Sequence, residues 1–327
     1  MIISKTPVRI SIGGGGTDLP SFYRRFGSCF ISAAINKYIY VIVQERRYYD
    51  EFLLKYSRTE KTKDISKIKN EIIRECLKLL KIKNPLEIVS LSDVGGLSGL
   101  GSSGAFTVGL LNALHTFKRD SVSQKQLAEE ACKIAIDILK LPSGKQDEYI
   151  SAFGGFSSFN VKRDGEVTIL RNEFNENFVM ELEHYLYMFY TGIDRESKPI
   201  LSLQKNATEH NNKQVVLNLK QVQSLGMEIR DALKKRQATR FGDLLDVHWN
   251  LKRKREKTTN RKIDNWYSIA KENGARGGKI MGAGGGGFFL FYCEKNAPHL
   301  IDSLEKAGLR HIPFGVDWNG TKIITNL

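Results

Sequence analysis

Apolar and polar positions follow a two-residue period in some stretches of the chain and the wider spacing of helices in others. Residues 1–12, "MIISKTPVRISI", alternate loosely and predict a strand ending at Gly13. "KYIYVIVQERRYY" (37–49) is β-branched and aromatic and predicts a second strand. "DISKIKNEIIRECLKLLKI" (64–82) carries apolar residues at helical spacing, with Asp64 placed as an N-cap. "PLEIVSL" (85–91) is a short strand, and "AFTVGLLNALHTF" (105–117) is apolar on most faces, which predicts a buried helix. "SQKQLAEEACKIAIDILK" (123–140) is a further helix, stopped by Pro142 and Gly144. After the strand "HYLYMFYTG" (184–192) the pattern changes to long polar helices over 199–238 and 241–274. "GGKIMGAGGGGFFLFYC" (277–293) then predicts a glycine loop entering a buried strand. The change places a boundary near 180, dividing the chain into 1–180 and 181–327.

Composition alters this picture little. The chain has 327 residues, 41% hydrophobic and 26% charged, enough to bury a core. No apolar run approaches the ~20 residues of a membrane helix, and the N-terminus lacks a signal-peptide layout, so no membrane partner is expected. Cys29, Cys76, Cys132 and Cys293 form no CxxC pair and read as reduced thiols of a cytoplasmic protein. The net charge of +14 is the one outlier. Its lysines and arginines are dispersed, as in "KTKDISKIK" (61–69) and "LKRKREK" (251–257), with no nucleic-acid motif. A site for polyanionic small molecules, or a solvated basic surface, accounts for the charge better than a nucleic acid.

Three glycine clusters carry the chemistry: "ISIGGGGTDLP" (10–20), "GGLSGLGSSGAF" (95–106) and "GAGGGG" (282–287). Each abuts an apolar strand or helix, which predicts loops converging on one ligand. The second follows a strand and opens a helix, so unpaired amides and the helix dipole make an anion site there. A Walker loop is excluded because no lysine precedes Ser102 and Ser103. "GLGSSG" satisfies GxGxxG, but its glycines come about eight residues after the strand, which argues against a dinucleotide fold.

"GGLSGLGSSGAFTVGLLNAL" resembles the phosphate loop of the GHMP kinases, the superfamily of galactokinase, homoserine kinase, mevalonate kinase and phosphomevalonate kinase. "TPVRISIGGGGTDLP" and "GGKIMGAGGGGFFLFY" are similar to its N-terminal and C-terminal motifs. Here Gly104 stands where the family usually has alanine. The spelling of "GGGGTDLP" and "GKQDEYISAFGG" looks most like the D-glycero-D-manno-heptose 7-phosphate kinase branch, while fucokinase-like sugar 1-kinases share much of it.

The resemblance implies a two-domain α+β fold with the active site between the domains. The N-terminal mixed α/β domain would resemble the second domain of a small-subunit ribosomal protein, and the C-terminal domain would be a ferredoxin-like sandwich. It implies ATP and Mg2+ as cofactors and a small sugar phosphate as partner, phosphorylated on its anomeric hydroxyl for surface-polysaccharide synthesis. A galactokinase-like acceptor and a non-catalytic sensor are the alternatives, and monomer and homodimer are both left open.

The resemblance also implies roles by position. Asp147 would be the catalytic base and Arg9 a cation beside the acceptor. Gly96, Ser98, Gly99, Leu100, Gly101, Ser102, Ser103 and Gly104 would bind ATP. Gly14, Gly15, Gly16, Thr17, Asp18, Lys145, Gly284 and Gly285 would line the sugar site. The family's usual magnesium glutamate falls on Ala135 here, which leaves Ser103 and Asp137 as candidate metal ligands, with Glu129 and Glu130 nearby. A sugar phosphate also needs cations for its own phosphate, drawn from Lys145, Arg195, Lys252, Arg253, Lys254 and Arg255.

Overall fold

The chain opens on a long antiparallel ladder of β1 (Ile2–Gly13) and β2 (Ser28–Glu45). The computed structural model describes residues 1–96, 98–194, 198–255 and 257–327. Pro7 donates no ladder hydrogen bond, and the register shifts between Pro7 and Val8. β2 is 18 residues long and so serves two neighbours on its far edge. Its first part pairs with β6 (Phe156–Val161), and its second part pairs with β5 (Leu86–Ser92). β3 (Phe52–Lys55), β4 (Thr59–Thr62) and β7 (Val167–Leu170) extend the sheet, and only β3 and β5 run parallel.

Helices cover both faces, which is why β1 loses its alternation and is buried at every position from Thr6 to Gly13. α3 (Ser102–Lys118) and α5 (Gln146–Phe153) pack on one side and α8 (Lys213–Lys234) on the other. The remaining N-terminal helices are α1 (Pro20–Phe26), α2 (Glu71–Leu79), α4 (Gln124–Cys132) and α6 (Glu176–Glu183). The helix expected over 64–82 is split: Asp64 caps a single 3₁₀ turn, and Asn70 caps α2 through Ile73 N–H. α4 runs on into a π-turn at Lys133–Ile138, closed by Leu139 N–H to the Ile134 carbonyl.

The second sheet has β8 (Leu186–Tyr190), β9 (Gly277–Ile280), β10 (Phe288–Tyr292) and β11 (Arg310–His311) in the order β11-β8-β10-β9, all antiparallel. That order, with helices between β8 and β9 and between β10 and β11, is the ferredoxin-like sandwich. The helices are α7 (Lys198–Glu209), α8, α9 (Ala238–Lys252), α10 (Arg261–Glu272) and α11 (Ala297–Lys306). The two long helices expected over 199–274 are thus four, broken at 210–212 and 253–260. Alternation along β10 divides two cores. Phe289 and Phe291 join Trp249, Trp266 and Leu300, whereas Phe288, Leu290 and Tyr292 belong to the larger core, where the Tyr292 ring meets Phe241 of α9.

One boundary needs correction. β12 (Lys322–Asn326) pairs with β1, and Val316 bridges to Ile35, so the last residues belong to the first sheet and not to a domain spanning 181–327. Pairing between chain ends leaves no local signal in a sequence.

Candidate active site

Two helix N-termini meet in the cleft between the sheets. α5 begins without a cap of its own; the cap comes from Asp18, whose Oδ2 accepts from Lys145 N–H at 2.9 Å and Gln146 N–H at 3.0 Å. Oδ1 accepts from Gly16 N–H at 3.1 Å. Gly144 lets this carboxylate lie against the backbone, since a Cβ there would stand 1.9 Å from Oδ2. Burial raises the Asp18 pKa, and among the charges around it that of Asp147 raises it further.

The other N-terminus is that of α3. Gly101 holds φ +78 at its head, and no side chain caps the helix. The first intrahelical bond is Ala105 N–H to the Gly101 carbonyl at 3.0 Å, so the amides of Ser102, Ser103 and Gly104 lie ahead of the ladder. About half a positive charge collects at such an end. α3 approaches α5 so closely that a Cβ on Gly104 would sit 2.7 Å from the Asp147 Cβ. This is the physical reason for glycine at that position.

Asp147 stands in the first turn of α5 and lines the cleft. Its Oδ1 takes both Arg9 Nε at 2.9 Å and Arg9 Nη2 at 2.7 Å, leaving Oδ2 toward Gly101. Arg9 is buried and also donates through Nη1 to the Gly99 carbonyl at 2.7 Å, while its backbone N–H donates to the Leu100 carbonyl. One arginine thus fixes the carboxylate and the second glycine loop together. The neighbouring Glu148 is buried away from the cleft, where desolvation and the Asp147 charge push its pKa to about 8.

The third glycine loop closes against the second. Cβ atoms on Gly282 and Gly287 would collide with the carbonyls of Gly99 and Ser98. Gly284 and Gly285, expected at the sugar, instead pack on Thr258, to whose carbonyl Gly285 N–H donates at 2.8 Å; Gly282 and Ala283 reach the cleft.

Several expected contacts are turned elsewhere. The Thr17 hydroxyl is buried against the Gly14 carbonyl and Ser28 Oγ, and Gly14 itself packs on Cys29. Lys145 Nζ donates to the Gly165 carbonyl at 2.7 Å, outside the cleft. Ser98 and Leu100 are buried and shape the loop, with Ser98 Oγ bonded to Ser102 Oγ. Gly15, Gly16, Gly96, Gly99, Gly101, Ser102 and Ser103 line the cleft with Asp18. Asp137 is exposed on the π-turn and does not line it. Arg253 and Lys254 are exposed, and Arg195 lies outside the described residues.

Of the two residues expected to hold magnesium, Ser103 lines the cleft beside the α3 amides, with an exposed hydroxyl, and Asp137 does not. Among the described residues no group of three or more His, Cys, Asp and Glu side chains could hold a metal. These residues do not fit a protein-built magnesium cage; an ion arriving with a nucleotide would rest on phosphate oxygens and water. Nor is any helix of the described residues long and apolar enough to cross a membrane.

Lys279 and His248 also line the cleft, although neither was expected there; Lys279 stands within the C-terminal motif, and the signal in the sequence was a lysine inside the glycine-rich start of a buried strand. Burial, then Lys279, hold the Lys252 amine well below its usual 10.5, and burial, then Arg255, do the same to Lys279. Burial, then Lys279, also keep the His248 imidazole well below its usual value. A lysine pKa lower in the folded chain than in the unfolded one penalises folding fully below the native value. The penalty fades as pH rises toward 10.5. The melting temperature of the wild type should therefore gain on that of Lys279→Met as pH rises toward 10.5; parallel curves would contradict the assignment.

Comparison with known proteins agrees with this fold. "GHMP kinases N terminal domain" matches residues 68–155, and "GHMP kinases C terminal" matches residues 229–309. A D-glycero-alpha-D-manno-heptose 7-phosphate kinase of Campylobacter jejuni is 28% identical, with 93% of each chain covered. A galactokinase of Pyrococcus furiosus is 23% identical, covering 92% of this chain and 91% of its own. Among solved structures, a D-glycero-D-manno-heptose 1-phosphate kinase from Bacteriodes thetaiotaomicron superimposes over 100% of both chains with a TM-score of 0.82 at 20% identity. The two family matches together span more than half of the sequence, and the chain belongs to the GHMP kinase family.

Proposed function

We propose that this protein transfers the γ-phosphoryl group of ATP to the anomeric hydroxyl of a heptose 7-phosphate, forming the 1,7-bisphosphate. The observation that carries the reading is the convergence of the uncapped α3 N-terminus with the Arg9–Asp147 pair in one cleft. The triphosphate lies on the amides of Ser102, Ser103 and Gly104. Asp147 Oδ2 takes the proton of the acceptor hydroxyl while Arg9 holds Oδ1. The acceptor oxygen forms its bond to the γ-phosphorus as the bond to the β-phosphate oxygen breaks, and ADP leaves. The name of the Campylobacter jejuni relative specifies a heptose 7-phosphate, which supports this acceptor class over a neutral hexose.

A coupled ADP-release screen over heptose 7-phosphate, heptose, fucose, galactose, mannose and N-acetylhexosamines tests the reading. Heptose 7-phosphate should give the highest kcat/KM. A higher value for any unphosphorylated sugar would overturn it.

A further inference from the structure

Three cationic side chains line the cleft, and among the described residues no carboxylate stands in ion-pair contact with them. Lys279 is 2% exposed and Lys252 is 5% exposed. Lys252 Nζ donates to the carbonyls of Ile280 and Gly282, each at 2.6 Å. Lys279 Nζ lies 3.3 Å from the Ile12 carbonyl oxygen and 3.1 Å from His248 Nδ1, contacts that bring no negative charge. Arg255 donates through Nη1 to Gln204 Oε1 at 2.9 Å, and its buried Nε has no hydrogen-bond partner. Among the described residues none of the three forms an ion pair, although others do, such as Arg9 with Asp147 and Arg230 with Glu173. Burying like charges without a counter-ion is unfavourable, because each loses its hydration with no opposite charge to replace it. A cleft that keeps three is arranged for an anion to enter.

The position of Arg255 says which anion. The triphosphate amides belong to α3, whose neighbours are Arg9, Asp147 and the second glycine loop. Arg255 is tied instead to the first glycine loop: Gln204 bridges it to the Gly16 carbonyl at 2.8 Å, and a Cβ on Gly16 would stand 3.2 Å from Nη1. We infer that Arg255, backed by Lys279 and Lys252, forms a second anion subsite that takes the phosphate already carried by the acceptor. The inference rests on the proposed reading that the acceptor is a sugar phosphate. With the existing phosphate anchored there, the free end of the sugar is directed toward Asp147.

Calorimetric titration of the full chain with heptose 7-phosphate, without nucleotide, tests the subsite apart from catalysis. Arg255→Gln should weaken that binding by about 10- to 100-fold, the loss of a charge-assisted contact, while heptose and ATP bind as to the wild type. Lys279→Met gives a second reading independent of Arg255. Removing one of the crowded cations should raise the melting temperature of the ligand-free protein and still weaken the sugar phosphate; a merely structural lysine would lower stability. Equal binding of heptose 7-phosphate by wild type and Arg255→Gln would overturn the subsite, as would no binding to the wild type. So would weakened ATP with the sugar phosphate unaffected, because the cations would then serve the transferring group. Arg255-dependent binding with no ADP release would sustain the subsite and overturn the proposed reaction.

Discussion

Replacing Asp147 by asparagine lowers turnover ~100-fold or more, the typical worth of a positioned base, while ATP affinity stays at the wild-type level. The geometry makes this substitution unusually clean. Arg9 binds Asp147 through Oδ1 alone, by Nε and Nη2, and an asparagine carbonyl oxygen can accept both bonds in the same place. The amide nitrogen then replaces Oδ2, the oxygen left toward Gly101 and the cleft, and it cannot take a proton. The α3 amides are untouched, so the nucleotide keeps its seat. Steady-state ADP release and ATP titration read the two quantities separately. Near-normal turnover would remove the base from Asp147. A joint loss of turnover and ATP affinity would mean that the carboxylate shapes the loop rather than the reaction.

Gly101→Val abolishes nucleotide binding, with a loss of ~100-fold or more expected from backbone strain of ~1–3 kcal/mol compounded by collision. Gly101 heads α3 at φ +78, a region closed to a β-branched residue. An added Cβ would stand 3.0 Å from Asp147 Cγ and 3.3 Å from Arg9 Cγ, so the side chain cannot enter without moving the Arg9–Asp147 pair. Gly95→Ala is the control, because a Cβ there meets nothing within 4 Å and its φ is not positive. Titration with a non-hydrolysable ATP analogue should separate the two variants. Normal binding by Gly101→Val would place the triphosphate off this helix end.

The glycine loops, Arg9 and Asp147 were legible in the sequence because each is fixed by a local requirement: bare backbone at a helix start, or a motif position. What the sequence hid was set by distant contacts. Asp18 reads as a ligand of sugar hydroxyls; it does line the cleft, and its oxygens also cap α5 some 127 residues on. Thr17 sits beside it and faces the opposite way, into the ladder with Ser28. Lys145 follows a glycine at the rim, but its amine reaches Gly165. The return of β12 to β1 was invisible for the same reason. Helix breaks at 210–212 and 253–260 escaped because polar runs show little periodicity to interrupt. Lys279 was overlooked inside an apolar strand, although a lysine in such a run was itself a sign of a charge needing a partner.

A crystal structure with a non-hydrolysable ATP analogue and heptose 7-phosphate bound together tests the central claim most directly. The account predicts the γ-phosphate on the amides of Ser102 to Gly104, the anomeric oxygen within hydrogen-bond reach of Asp147 Oδ2, and the sugar's own phosphate against Arg255. A triphosphate seated away from α3, or an anomeric oxygen turned from Asp147, would contradict it.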